Sequence, residues 1–593
     1  MFRFVNCRRA WALLVAGVVP HLFAQESPAA EMRGLWVESG PAGIKSAGEV
    51  AELVRVARAA HLNALFVEAV KLGQANYRSE LLPPAPAAAG AFDPLAEVVR
   101  QAHDTKQGPR LEVHAWVSLL PVWNQRDTPP ADRRHASREH PEWLTRDFRG
   151  TNFGLAYVLD PGHPAVADHL VAVAGELVSR YELDGLYLDD FWYPAGGTAE
   201  KAQSWGYNPV AVERYQKRFS RPTPPPPNEP AWEQFRRDQL TFLVRRIVGE
   251  MGIRRPALRL SAGCRADAGG VYPIVWESTR GYRHDLQDWR TWLREGTLDT
   301  AVPLMYFEAR IHPADWRAWS DFLPANRYQR QVVVGLGAQL NSLTDTLALA
   351  RSVRELTGRP GGVEGMVFAS YSAPSADRKP ADFFRSLVMT NQFETHSDPL
   401  FSSAVPVPGM PWKTRPNRVR MVGRAQVGGL ALDGARVEVR GRVTRSITTD
   451  ANGWFGAVDL PPGEFLLRVR PAETNRVDLV GVFTAVLGST VRPELIAAGE
   501  DPDHDGYTNE DEITAGTDPR DPQSRLLLNA TVLADRIVLR ADPVLPNRRY
   551  LIEAAPASQG PWAPLTDSAS LDGSEVTAPV PSPNNYYRVR VSY

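Results

Sequence analysis

Short apolar runs alternate with longer stretches of helical periodicity between residue 32 and about residue 390. The runs are mostly continuous rather than alternating, which is typical of parallel strands covered on both faces. They predict eight strands, at residues 33–38, 63–68, 111–119, 185–190, 258–262, 299–306, 331–337 and 365–371. The barrel that these strands form is expected to span residues 32–395.

The stretches between the runs carry helix signals. Ser46 and Glu49 have the spacing of a capping box, and Asp93 precedes Pro94 as an N-cap precedes a first-turn proline. Apolar positions recur every 3.6 residues at 164–181, 232–251, 285–295 and 344–356. These alternations predict an α/β fold, a TIM (β/α)₈ barrel followed by small all-β accessory domains. A doubly wound open sheet is the alternative, but the chain lacks its glycine-rich phosphate turn.

The character of the chain changes after residue 395. Prolines at 406, 408, 411 and 416 predict a stiff linker over residues 396–417. Alternating runs separated by turn signals predict a β-sandwich accessory domain at 418–497 and a C-terminal β domain at 524–593. An acidic segment at 498–523 lies between them.

Residues 1–24 have the arginines, apolar run and Leu22-Phe23-Ala24 site of a secretory signal peptide, so we expect an exported, periplasmic or extracellular protein. No later segment has the length of a membrane span. Beyond this signal Cys264 stands alone, which excludes an intramolecular disulfide. The formal net charge of −1 favours neither nucleic acid nor an anionic membrane as a partner.

Acidic and aromatic residues dominate the ends of the predicted strands, where the chemistry of a TIM barrel is found. Such a cleft suits a polysaccharide or oligosaccharide better than a phosphate. The candidate residues are Trp36, Glu38, Glu68, His114, Trp116, Asp189, Asp190, Trp192, Tyr193, Tyr306, Glu308 and Tyr371.

Glycoside hydrolysis requires two carboxyl groups, one on each side of the scissile bond. Asp189 and Asp190 are consecutive, and the alternation of a strand predicts that only one of them faces the barrel mouth. The partner acid must come from another strand, and Glu308 is preferred over Glu68 and Glu38. A loop cap for the aspartates, and core positions for His114 and the aromatic residues, stay open as structural interpretations.

Seven segments occur in order along the barrel, at 32–37, 111–116, 140–143, 159–164, 184–194, 287–289 and 303–306. Together they resemble a bacterial family known as glycosyl-hydrolase-like family 10. The resemblance implies hydrolysis of a glycan, with bacterial cell-wall strands as a substrate for exported members. It also implies that Asp189 and Asp190 form the catalytic centre. By analogy with related retaining barrels, Asp189 is the expected nucleophile.

Residues 501–512 match the register of a twelve-residue calcium loop, with Gly506 at the sharp turn. The oxygen ligands would come from Asp501, Asp503, Asp505, Tyr507 (through its carbonyl), Asn509 and Glu512. The continuation at 516–519 resembles EF-hand-like and thrombospondin type 3-like calcium linkers. We therefore expect a structural Ca²⁺ ion that stiffens the joint between the two β domains, and no cofactor for catalysis. A solvated acidic linker is the alternative.

The segment at 449–455 looks like part of a carboxypeptidase-regulatory-type accessory domain, which would space or bind rather than catalyse. The leading functional hypothesis is an exported retaining glycoside hydrolase with Asp189 as nucleophile and Glu308 as general acid/base. A non-catalytic glycan-binding protein on a degenerate barrel is the alternative. A metal-dependent deacetylase is disfavoured because His114 is nearly alone among strand-end histidines.

Overall fold

The computed structural model describes residues 30–592 apart from 41–42, 195–204, 268–269, 271, 391–397, 417, 474–475, 566–572 and 580–585. The signal peptide expected at 1–24 lies outside the described residues. Among the helices of the described ranges, none combines the length and the apolar character that crossing a membrane requires.

Eight parallel strands close into a barrel. They are β1 (Met32–Val37), β2 (Ala64–Lys71), β3 (Glu112–Ser118), β4 (Gly185–Asp189), β5 (Arg259–Arg265), β6 (Thr300–Met305), β7 (Val334–Leu336) and β8 (Gly365–Phe368). β1 pairs in parallel with both β2 and β8, which closes the sheet. A short strand at Gln331–Val332 pairs with β6 just ahead of β7. The predicted barrel is confirmed.

Helices follow the strands and cover the outside of the barrel. They are α1 (Ala47–Ala59), α2 (Pro94–His103), α3 (Pro164–Arg180), α4 (Pro209–Phe219), α5 (Pro230–Arg254), α6 (Trp289–Arg294), α7 (Pro313–Ala325), α8 (Leu343–Thr357) and α9 (Pro380–Val388). Ser46 caps α1 by accepting from the Glu49 N–H. The Glu49 carboxylate accepts from the N–H groups of Gly43 and Lys45 rather than from that of Ser46, so only half of the predicted capping box forms.

The barrel interior is filled by large rings below the mouth. Trp36, Phe66 and Tyr187 are all at most 2% exposed and belong to one interior cluster. The His114 ring stacks on Phe66 with 4.5 Å between centroids. Gly185 on the neighbouring strand leaves the space that the imidazole occupies. This layer forms a solid floor under the C-terminal ends of the strands.

The proline-containing segment after the barrel lies against the opposite, N-terminal ends of the strands. Arg259 at the start of β5 donates from Nη2 to the Pro408 carbonyl at 2.6 Å. Lys413 pairs with Asp299, which directly precedes β6, and their side chains are 6% and 5% exposed. Trp412 donates from its indole to the other oxygen of Asp299 at 2.8 Å. The segment is therefore anchored to the base of the barrel rather than hanging free.

All-β structure follows, as predicted. One three-stranded sheet (Val419–Arg424, Trp454–Leu460, Thr490–Val491) shares an apolar core with a five-stranded sheet (Arg436–Arg440, Arg445–Thr448, Gly463–Arg470, Leu479–Ala485, Ile496–Ala497). Helix α10 (Asn509–Ala515) comes next. Two three-stranded sheets complete the chain, formed by Leu527–Val532, Arg536–Asp542 and Glu575–Pro579 and by Arg549–Ala555, Ala563–Pro564 and Tyr586–Ser592.

The first β unit docks onto α5 through Trp454, which is 3% exposed. Its ring packs on Gly249, where an added Cβ would lie only 2.7 Å from the ring. The indole N–H donates to Glu250 at 3.0 Å. Arg246, one turn earlier on α5, lies between Asp168 of α3 and Asp450 of the β unit. An apolar contact and the ion pairs of the buried Arg246 therefore hold the two units together.

We expect Trp454→Ala to lower the free energy of unfolding by about 3–5 kcal/mol, because it removes a large buried ring and leaves a cavity against α5. Thermal or urea unfolding of the full chain measures the loss. Val482→Ala, at an exposed position of the same unit (42% exposed), is the control and should change the stability by less than about 0.5 kcal/mol. Equal losses in the two variants would contradict the docking role of Trp454.

Candidate functional site

A cavity of about 670 Å³ opens at the C-terminal ends of the barrel strands. Its lining residues come from seven of the eight strand ends and the loops that follow them. They are Trp36, Glu38, Trp116, Asp189, Asp190, Trp192, Arg265, Ala266, Asp267, Arg280, Leu304, Tyr306, Phe307, Gln339, Ala369, Ser370 and Ala373.

Asp189, the last residue of β4, points into the barrel mouth. Strand alternation places it on the same face as Tyr187, which belongs to the ring layer of the floor. Gly263 on β5 leaves room for both, since an added Cβ would lie 2.6 Å from the Asp189 Oδ1 atom and 2.6 Å from the Tyr187 hydroxyl. Asp189 is 9% exposed. Its carboxyl group is thus largely withdrawn from water at the bottom of the cavity.

Asp190 lines the same cavity, although alternation predicts that it points away. Its φ of 50° lies in the left-handed region, which non-glycine residues seldom adopt and which ends the strand geometry. The Asp190 N–H donates back to Asp189 Oδ1 at 2.9 Å. The Ser118 hydroxyl at the end of β3 donates to Asp190 Oδ2 at 2.6 Å. This local turn brings two consecutive carboxyl groups to one site.

The pair has a strongly perturbed protonation equilibrium. Burial, followed by the charge of Asp190, raises the pKa of Asp189 to about 8, against the N–H of Asp190 and the Trp116 indole. Burial also raises the pKa of Asp190, while the Ser118 hydroxyl and the charges of Lys71 and Arg265 oppose that shift. Two carboxyl groups in one desolvated site cannot both ionise readily, so the pair retains a proton near neutral pH.

The three candidates for the second acid lie in different positions relative to the cavity. Glu38, after β1, lines the cavity and accepts from the Ser372 hydroxyl at 3.2 Å. Glu308 is exposed and is not among the lining residues. Glu68 is 2% exposed and lies outside the lining, where the N–H and hydroxyl of Ser39 and the ammonium of Lys71 bind its carboxylate. Glu38 is therefore the candidate that shares the cavity with the aspartates.

Of the predicted aromatic and histidine contacts, some line the cavity and others do not. Trp36, Trp116, Trp192 and Tyr306 line the cavity. Three other candidates lie elsewhere. His114 is buried in the barrel interior, with its Nε2 atom 3.0 Å from the Glu112 carboxylate. Tyr193 is buried, and the Arg236 guanidinium lies 5.9 Å from the centre of its ring. The Tyr371 ring packs on Phe384.

One wall of the cavity was not predicted from the sequence. Arg265, the last residue of β5, lies 5.1 Å above the Trp192 ring and pairs through Nε with buried Asp285 at 2.9 Å. Arg280 lies farther from Asp285, at 3.9 Å, and is half-exposed. Asp267 accepts from a backbone N–H through one carboxylate oxygen. A charged residue at a strand end is a signal for Arg265, whereas its pairing with Asp285 depends on a loop whose course the sequence pattern leaves open.

Gln287 fixes the position of this wall. Its carbonyl accepts from the Arg265 N–H at 2.8 Å. Its amide donates to the carbonyls of Gly263 and Phe191 at 2.9 and 3.2 Å. Gln287 is fully buried, and it ties the end of β5 to the loop after β4. The two loops that carry the cavity are thereby held in register.

The predicted metal ligands lie far along the chain from the cavity. Asp501, Asp503 and Asp505 come together, with one carboxylate oxygen from each within 4.8 Å of the others. Asn509 and Glu512 are buried, and the Tyr507 side chain is exposed.

The closed barrel carries an acidic, aromatic cavity at the C-terminal ends of its strands. Residues 31–339, more than half of the chain, match the family described as glycosyl hydrolase-like 10. This protein belongs to that family.

The chain is similar to two curated relatives. It is 24% identical over 355 residues to the glycosyl hydrolase YngK of Bacillus subtilis, which covers 56% of this chain and 61% of that protein. It is 24% identical over 300 residues to the glycosyl hydrolase DigH of Escherichia coli K12, which covers 45% of this chain and 60% of that protein. The chain thus spans about three fifths of each relative's length.

Among solved structures, the chain is similar to the PgaB (BpsB) glycoside hydrolase domain of Bordetella bronchiseptica. The TM-score is 0.43 at 13% identity, over 61% of this chain and 100% of that domain. It is also similar to the catalytic domain of a β-amylase from Paenibacillus polymyxa, with a TM-score of 0.43 at 11% identity, over 60% of this chain and 98% of that domain.

The raised pKa of Asp189 predicts a pH-dependent stability. The folded state holds this proton more tightly than the unfolded chain, so the carboxyl group lowers stability progressively as pH rises from the ordinary aspartate range, near 4, toward 8. Asp189→Asn removes this titrating group. Its thermal midpoint, relative to that of the wild type, should therefore increase as the pH rises from 5 to 8. Glu308→Gln, at an exposed carboxyl group, should run parallel to the wild type. Parallel curves for Asp189→Asn as well would contradict the shift.

Proposed function

We propose that this protein is an exported glycoside hydrolase that cleaves glycosidic bonds of a polysaccharide in the barrel cavity. The main support for this proposal is that Asp189 and Asp190 line one aromatic-walled cavity together with Glu38. Hydrolysis of a glycosidic bond requires a proton donor and a second carboxylate on opposite sides of the bond. This cavity contains both kinds of group.

Asp189 is the proposed proton donor. Its raised pKa keeps it protonated near neutral pH, which suits a general acid and opposes the nucleophile role expected from the family analogy. The proton passes from the Asp189 carboxyl to the leaving glycosidic oxygen as the bond from that oxygen to the anomeric carbon breaks. Asp190 is the neighbouring carboxyl group, and the Ser118 hydroxyl orients it.

Glu38 is the proposed second carboxylate, in place of Glu308. β1 lies three strands from β4 around the eight-stranded barrel, so the two strand ends lie on different sides of the mouth. The Glu38 carboxylate attacks the anomeric carbon, and water then hydrolyses the glycosyl ester while Asp189 takes up the proton of that water. The retaining outcome stays a prediction, and NMR of the first anomer released tests it.

The walls supply the remaining recognition. Trp116, Trp192 and Tyr306 offer ring faces on which sugar rings stack. Arg265 and Arg280 offer hydrogen-bond donors to sugar hydroxyl groups. Bacterial cell-wall glycan strands are the proposed substrate class, on the basis of the family resemblance.

The test is incubation with a panel of polysaccharides, peptidoglycan glycan strands included, with mass analysis of the products. We expect Asp189→Asn and Glu38→Gln each to lower kcat by about 10²–10⁴-fold, because each removes one of the two reacting carboxyl groups. Glu308→Gln is the matched control, since it removes an exposed carboxyl group outside the lining, and it should keep wild-type activity.

Full activity in Asp189→Asn would overturn the assignment of the proton donor. Loss of activity in Glu308→Gln with Glu38→Gln unaffected would restore Glu308 as the partner. Oligosaccharide binding by the wild type without new reducing ends would favour the glycan-binding alternative over hydrolysis.

A further inference from the structure

We propose that the loop at 501–512 binds one Ca²⁺ ion, and that this ion fixes the angle between the two β units that follow the barrel. The proposal is independent of the glycosidase activity. It rests on the arrangement of oxygen atoms in the loop, on the buried oxygens among them that lack a partner, and on the contacts of helix α10.

The loop already holds its carboxylates in place. The Asp505 N–H donates to Asp501 at 3.2 Å and to Asp503 at 3.3 Å. The N–H of Gly506 donates to the second oxygen of Asp501 at 3.1 Å, and that of Tyr507 donates to Asp505 at 2.9 Å. Gly506 has a φ of 95°, which places it in the left-handed region and allows the sharp turn. Backbone amides thus preorganise the three aspartates before any ion binds.

Several oxygen atoms of the loop are buried without a hydrogen-bond partner among the described residues. Two belong to Asn509 and Glu512, each 2% exposed. The orphaned atoms are Asp503 Oδ2, Asn509 Oδ1 and Glu512 Oε2, whereas Asp505 Oδ2 has an ion pair with Arg525 at 3.2 Å. A buried acceptor without a partner destabilises the folded state, and it does so more strongly if it is charged. Three such acceptors in one loop indicate a cation site rather than a solvated linker.

The charge of the loop supports the same conclusion. Arg525 lies 3.2 Å from Asp505 Oδ2 and offsets one of the four carboxylates supplied by Asp501, Asp503, Asp505 and Glu512. Carboxylate, amide and backbone carbonyl oxygens in this register suit Ca²⁺, which accepts six to eight oxygen ligands in flexible geometry. Mg²⁺ requires stricter octahedral geometry and keeps several waters, so it fits this all-protein set less well.

Helix α10 connects the ion to both β units. On the side of the first unit, Asn509 donates from its amide to the Ala497 carbonyl at 2.7 Å, and Ile513 packs with Leu466, Val480 and Ala498. On the other side, Arg548 of the last unit donates from Nε to the Thr514 carbonyl at 2.6 Å. Arg548 also pairs with Glu464 of the first unit at 2.7 Å.

The helix provides two of the proposed ligands, Asn509 and Glu512, while Asp501, Asp503 and Asp505 precede it. An ion bound by both sets ties the start of the helix to the loop. Because the helix contacts both β units, its position sets their relative orientation. Removal of the ion leaves four carboxylates at this joint with only Arg525 to offset their mutual repulsion.

The experiment uses the full chain, stripped with a chelator and titrated calorimetrically with CaCl₂ and, separately, with MgCl₂. We expect one Ca²⁺ per chain and a thermal midpoint that rises with Ca²⁺ concentration. Limited proteolysis should cleave the 498–523 segment faster without Ca²⁺. Glu512→Gln should weaken Ca²⁺ binding by at least about tenfold, because it removes the bidentate ligand and a charge.

Glu500→Gln is the matched control, since it removes an exposed carboxylate directly before the loop, and it should bind as the wild type does. Circular dichroism confirms that each variant is folded. Absence of Ca²⁺ binding at millimolar concentration, equal affinity for Mg²⁺, or unchanged affinity in Glu512→Gln would each overturn the site. Ca²⁺ binding that leaves the proteolysis of 498–523 unchanged would overturn the role at the joint.

Discussion

Hydrogen bonds from β1 to both β2 and β8 close the sheet, and the cavity depends on that closure. Eight strands running in one direction bring their carboxyl ends to a common rim, where residues far apart in sequence become neighbours. The rings of Trp36, Phe66 and Tyr187 fill the space beneath. These buried rings exclude water from the bottom of the cavity, so a carboxyl group that packs on them loses part of its hydration. The perturbed equilibrium of the aspartate pair follows from this packing.

Much of the fold could be predicted because its signals are local. Continuous apolar runs gave all eight strands, since a parallel strand is buried on both faces and needs no polar alternation. Where the structure differs from the prediction, the difference lies at the end of a helix or strand. Glu49 has the spacing of a capping box, but backbone N–H groups before the helix compete for its carboxylate. Such competition depends on how the preceding loop folds, which residue spacing does not determine.

The candidate site was harder to predict because single dihedral angles and loop paths decide it. Alternation predicts that one of the two aspartates faces the cavity and leaves open which, whereas the left-handed backbone of Asp190 brings both there, which alternation cannot anticipate. Glu308 and Glu38 both lie just beyond the end of a strand, but only the chain after β1 keeps its acid at the cavity. The Arg265 wall depends on contacts with Asp285 and Gln287, about 20 residues away, which no local pattern encodes.

The proline-containing segment is anchored at the base of the barrel, so the chain enters the appended β units from the end opposite the cavity. The described lining of the cavity accordingly contains no residue beyond Ala373. The barrel thus carries the cavity at one end and the connection to the appended β units at the other. A substitution in the appended β units therefore removes no described wall residue of the cavity.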